Sequence, residues 1–93
     1  MQIRALTNGK IAGTGTVNCP SGNLGGVIIT TDGTNAAVVI IQINNDVGKK
    51  VFDISTKTPG VFILNPISLE GSTVIYYSIT GTGAAAQLYE YVA

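Results

Sequence analysis

The chain shows no helical periodicity, and this most limits what it can fold into. Its apolar residues fall in short blocks rich in Val, Ile, Thr and Tyr, separated by Gly, Pro and Asn. β-branched and aromatic side chains pack well on a pleated surface, so such blocks read as strands. About eight are legible, over residues 2–7, 14–19, 26–31, 36–44, 51–56, 61–65, 73–80 and 84–92. Asn8-Gly9, Pro20-Ser21-Gly22-Asn23, Asp32-Gly33-Thr34-Asn35, Asn45-Asp46-Val47-Gly48, Pro59-Gly60 and Gly81-Thr82-Gly83 carry turn chemistry. Short strands at this spacing predict an all-β fold: a small antiparallel β-sandwich (jelly-roll-like) or a partly closed barrel. With 93 residues, the whole chain 1–93 is read as one β-sandwich domain. The last two strands are expected to pair through Gly81-Thr82-Gly83.

A sandwich strand with one wet face should alternate apolar and polar residues. Four blocks do not. Ala36-Ala37-Val38-Val39-Ile40-Ile41, Val27-Ile28-Ile29, Val61-Phe62-Ile63-Leu64 and Val74-Ile75-Tyr76-Tyr77 are apolar on both faces. Successive side chains point to opposite sides of a sheet, so about half of these must face away from the single interior. No helix is predicted that could cover them. Outward apolar residues can be scattered singly, or lie on the partly apolar exterior of a closed barrel; four such runs favour cover by neighbouring subunits, as large apolar patches usually imply. Val38 and Ile40, or else Val39 and Ile41, are the candidate interface residues; the pattern does not say which pair faces out.

Composition matters here through charge. Only 11% of residues are charged, against about 25% in a typical domain, and the net charge is zero. Such a surface favours association over dispersal. It also excludes electrostatic binding of nucleic acid, because five basic residues are balanced by five acids. No apolar run approaches the roughly 20 residues that span a bilayer, and the N-terminus reads as a strand, not as a leader. Neither nucleic acid nor membrane is therefore an expected partner.

The chemistry of catalysis is sparse. Histidine and tryptophan are absent, which removes the commonest general base and transition-metal ligand. Cys19 is alone, so it reads as a small buried apolar residue and not as a nucleophile or disulfide partner. Asp32, Asp46, Asp53, Glu70 and Glu90 lie mostly in predicted turns and read as solvated, not as a catalytic pair. Asp32-Gly33-Thr34-Asn35 lacks the acids of a calcium loop, and Gly13-Thr14-Gly15 lacks the Lys of a phosphate loop. No enzyme activity, cofactor or metal is expected. Tyr89 and Tyr91 share a strand face and form a candidate aromatic platform for a glycan; aromatic packing or an interface patch is the plainer reading.

Two segments carry a family resemblance. The stretch GVIITTDGTNAAVVIIQIN with GKKVFD after it, and the stretch YYSITGTGAAAQLYEY, resemble small β-sandwich virion proteins of tailed bacteriophages, of the capsid decoration (cement) or head-fibre type. They cover residues 26–53 and 76–91, and the likeness lies in the turn motifs TDGTNAA and ITGTGA. The resemblance implies a virion structural protein at the capsid surface, made in the host bacterial cytoplasm. It implies a homo-oligomer, a trimer among its forms, in contact with the major capsid protein or other virion proteins. The chain lacks the coiled-coil, collagen-like or anchoring segment of a free-standing fibre, which favours decoration over a fibre, tail or neck component. A carbohydrate-binding or receptor-contacting module is the alternative expectation.

Overall fold

The computed structural model describes residues 2–93, with the backbone alone for Ile63 and Leu64. Eight strands follow in order: β1 (Gln2–Ala5), β2 (Gly13–Asn18), β3 (Asn23–Thr30), β4 (Ala37–Ile43), β5 (Lys50–Thr56), β6 (Gly60–Ser68), β7 (Val74–Thr80) and β8 (Ala85–Val92). They form two four-stranded sheets. Sheet A runs β1-β8-β3-β6 and sheet B runs β2-β7-β4-β5, with every pairing antiparallel. The first strand pairs with the last, the second with the seventh, the third with the sixth and the fourth with the fifth. That is the connectivity of a jelly roll, one long hairpin rolled over on itself. The sheets keep separate edges, so the fold is a sandwich and not a closed barrel.

The interior comes from the period of two. Leu24, Val27 and Ile29 of β3 and Ala86 and Leu88 of β8 point inward from sheet A. Ala37, Val39 and Ile41 of β4 and Ile75 and Ile79 of β7 meet them from sheet B. At one open side, Phe52 of β5 and Phe62 of β6 meet edge to face, with centroids 6.1 Å apart and planes at 69°. This is a favoured aromatic geometry, and it ties together the edge strands of opposite sheets.

Three features differ from the sequence reading. First, β3 starts at Asn23, before the expected boundary, and carries a bulge at Gly25. A Cβ on Gly25 would lie 2.9 Å from the backbone of Glu90 and Tyr91, so only glycine lets β8 approach here. Second, β6 continues through Pro66 instead of ending before it. Pro66 sits on an edge strand inside the irregular step between Ile63 and Ile67, where a missing N–H costs no ladder bond. Third, β7 and β8 do not pair. They lie in different sheets, and Gly81-Thr82-Gly83 is a crossover. The same holds for residues 31–36: Asp32 Oδ1 accepts from the amides of Thr34 and Asn35 at 2.9 and 2.7 Å, and Gly33 adopts φ +81°, but the turn leads from sheet A to sheet B.

Candidate functional site: the outer faces of the two sheets

The registers assign each outward side chain. On sheet B they are Thr14, Thr16 and Asn18 of β2, Val74, Tyr76, Ser78 and Thr80 of β7, Val38, Ile40 and Gln42 of β4, and Asp53 and Ser55 of β5. Val38 and Ile40 are half-buried, and Ser55, Asp53, Thr80 and Ser78 stand directly opposite them. Val39 and Ile41 are fully buried in the core. Of the four candidate interface residues, only Val38 and Ile40 face outward, and every residue directly opposite them is polar; Val74 and Tyr76 of β7 are the other large apolar side chains on this face. Lys50 and Asp53 add an exposed ion pair at its edge, with 3.9 Å between charged atoms.

Sheet A is different. Its described outward positions are Ile3 and Ala5 of β1, Ala85, Gln87, Tyr89 and Tyr91 of β8, Gly26, Ile28 and Thr30 of β3, and Val61 of β6. None is charged. Val61 is 65% exposed and Ile3 36%. Gly26 lies beside Tyr89 in register, and with no side chain there the face sinks into a depression of about 230 Å³. Ile3, Gly26, Ile28, Val61 and Tyr89 line it. The two candidate platform residues, Tyr89 and Tyr91, share this face and are both half-exposed. The side chains of Ile63 and Leu64, named in one of the double-sided runs, lie outside the described residues.

One polar cluster escaped the sequence reading. Glu90 is not a solvated acid: it is 2% exposed, at the inward row of β8 that also holds Ala86 and Leu88. Its Oε1 accepts from the Ser21 amide at 2.9 Å, and its Oε2 accepts from Arg4 Nε at 3.0 Å. Burial alone would raise its pKa. The Ser21 amide and hydroxyl, and then the Arg4 guanidinium, outweigh that and hold it below the ordinary glutamate value. The cluster pins the N-terminal strand β1 and the 19–23 turn to the end of β8. Alternation could have found it, since Ala86, Leu88 and Glu90 are spaced by two. Cys19 lies alongside, fully buried, its Sγ 3.5 Å from the Asn23 carbonyl. Burial pushes its thiol pKa up, against the opposing pull of Ser21.

Among the described residues, no group of acids, cysteine or histidine is arranged to hold a metal ion, and no helix is long and apolar enough to cross a membrane. Comparison with protein-family models, with curated proteins and with solved structures returns no match.

Proposed function

We propose that this protein is a non-enzymatic structural component of a tailed-bacteriophage virion, a capsid decoration protein before a fibre, tail or neck component. It holds to its neighbours, the major capsid protein foremost, by the outer face of sheet A. One observation carries the reading: among the described residues, the outer face of sheet A bears Ile3, Ile28, Val61, Tyr89 and Tyr91 and no charged side chain at an outward position. Interface cores are depleted of charge and enriched in aromatics. Fully burying a Val or Ile contributes about 1.5–3 kcal/mol, so a few such side chains per subunit suffice when many subunits act together. The low overall charge and the resemblance over residues 26–53 and 76–91, which lie mostly in β3, β4, β5, β7 and β8, point the same way. The jelly-roll connectivity does not by itself decide, because it serves many functions.

The test is co-sedimentation with undecorated capsids of the phage that encodes the chain. Wild type is expected to bind, and Val61→Lys to lose binding while melting at the same temperature. A wild-type chain that ignores capsids, or a Val61→Lys variant that binds as well, overturns the reading.

The glycan-binding alternative draws on Tyr89 and Tyr91 standing on one face beside the depression. Its lining supplies apolar surface and no convergent polar side chains, whereas sugar recognition needs both. Glycan-array binding abolished by Tyr89→Ala would promote it above the first reading.

A further inference from the structure

A β-sandwich of two open sheets has four edge strands, and each exposes unpaired backbone groups that can template another chain. Three of the four are blunted here. β1 is four residues long, carries Arg4, and is followed by the 7–10 loop before Ile11 bridges Ala86. β5 is bulged at Val51, between Ile41↔Phe52 and Gln42↔Lys50, and carries Lys50 and Asp53. β6 carries Pro66 and the irregular step opposite Gly25.

β2 has none of these devices. Its six residues, Gly-Thr-Gly-Thr-Val-Asn, contain no charge and no proline, and they pair with β7 in unbroken register from Gly13↔Ile79 to Asn18↔Val74. The free side of β2 can be read from the ladder. Cys19 N donates to Thr73 O at 2.7 Å, extending the ladder by one pair. Hydrogen-bonded pairs alternate along an antiparallel ladder, so Gly13, Gly15 and Val17 turn their N–H and C=O towards β7. Asn44 N donating to Val74 O sets the same parity from the other side of β7. The backbone groups of Thr14, Thr16 and Asn18 therefore point away from the sheet. All three residues are exposed.

We infer that β2 is a self-association edge, and that its occupant is β2 of a second copy of this chain, antiparallel about a two-fold axis at Thr16. The parity makes the edge self-complementary. Thr16 meets Thr16 of the second copy, and Thr14 meets its Asn18, each as a pair exchanging two backbone bonds. On the outer face, Thr against Thr is a favourable cross-strand pair and no charge is buried. The two B sheets become one continuous sheet. This inference is independent of the virion reading, which uses the opposite sheet.

The experiment is sedimentation equilibrium together with amide hydrogen exchange by NMR. Wild type is expected to dimerise reversibly, with the Thr14, Thr16 and Asn18 amides gaining protection as concentration rises. Thr16→Pro removes one outward donor per chain and should weaken the dimer on the order of tenfold or more. The double variant Thr14→Lys/Asn18→Lys sets like charges opposite each other, touches no internal bond, and should give a monomer that melts like wild type at concentrations low enough for wild type to be monomeric. Val61→Lys, on sheet A, should dimerise like wild type. The inference fails if wild type stays monomeric to about 1 mM, or if these amides exchange freely in the dimer. It also fails if Val61→Lys dissociates the dimer while the β2 variants do not, an outcome that would leave the sheet A reading standing.

Discussion

The two sheets share an interior and differ in what they show outside. Both present Val, Ile, Leu or Ala to the common core. On sheet B the outward side chains are chiefly Thr, Ser, Asn and Gln with an ion pair at the edge, and Val38 and Ile40 have only polar residues directly opposite, with Val74 and Tyr76 further along β7. On sheet A the outward Ile28 of the β3 run has Val61 as one neighbour, with Ile3, Tyr89 and Tyr91 on the same face. A run that is apolar on both faces therefore does not define a contact surface. It becomes one where a neighbouring strand adds an apolar residue at the same register, as Val61 does beside Ile28 while Gln87 stands on the other side.

The contrast between inner and outer rows is the first thing to break. Val39→Asp would bury an unpaired carboxylate and should cost about 4 kcal/mol or more, unfolding the chain at ordinary temperature. Val38→Asp, one residue away, should cost about 1 kcal/mol or less. Urea unfolding of the two variants measures the gap. Similar losses for both would mean that the outer face of sheet B is covered after all.

The second contrast is the buried acid, which sheet A has and sheet B lacks. Glu90→Ala removes two charge-assisted hydrogen bonds and leaves the Ser21 amide unpaired, a loss of about 1–3 kcal/mol. The pH dependence has a defined sign. Glu90 has a lower pKa folded than unfolded, so its contribution is present at neutral pH and lost as pH falls through the folded value. Asp32, whose pKa is lowered by its bonds from Asn35 and Thr34, acts in the same direction from a fully exposed site. The diagnostic is the difference between wild type and Glu90→Gln, which should narrow on acidification as wild type loses its advantage. A difference that stays constant with pH would assign Glu90 a packing role only.

Strand existence was legible because the β-branched blocks and the turn residues between them are local signals. Strand order was not, because Gly33 and Gly81–Gly83 shape a tight turn equally well whether the chain pairs with itself or crosses to the other sheet. The start of β3 was hidden by Pro20-Ser21-Gly22-Asn23, whose turn chemistry runs into a strand that needs Gly25 for close approach to β8. Val38–Ile41 stood out as an apolar run, but their orientation depends on which strands flank β4, and pairing across the fold decides that. Ile3 and Val61 contribute exposure from edge strands whose position no local pattern reveals. Tyr89 and Tyr91 were placed together correctly by the period of two, and the same arithmetic would have sent Glu90 inward with Leu88.

The smallest effect on stability should come from the change that best separates the outer faces. Val61→Lys and Ile40→Lys each place one charge on an outward strand position, and neither should move stability by more than about 1 kcal/mol. Their effects on binding should differ. Val61 borders the depression beside Ile28, where a lysine desolvated by a partner would lack a counter-charge. Ile40 stands opposite Asp53, which can pair with the new ammonium at the surface. Retention of a hydrophobic dye or of capsid by wild type and Ile40→Lys, with loss by Val61→Lys, would confine the sticky surface to sheet A. Equal loss by both would mean that the two faces act together, and that the few apolar side chains on sheet B are enough to hold a neighbour.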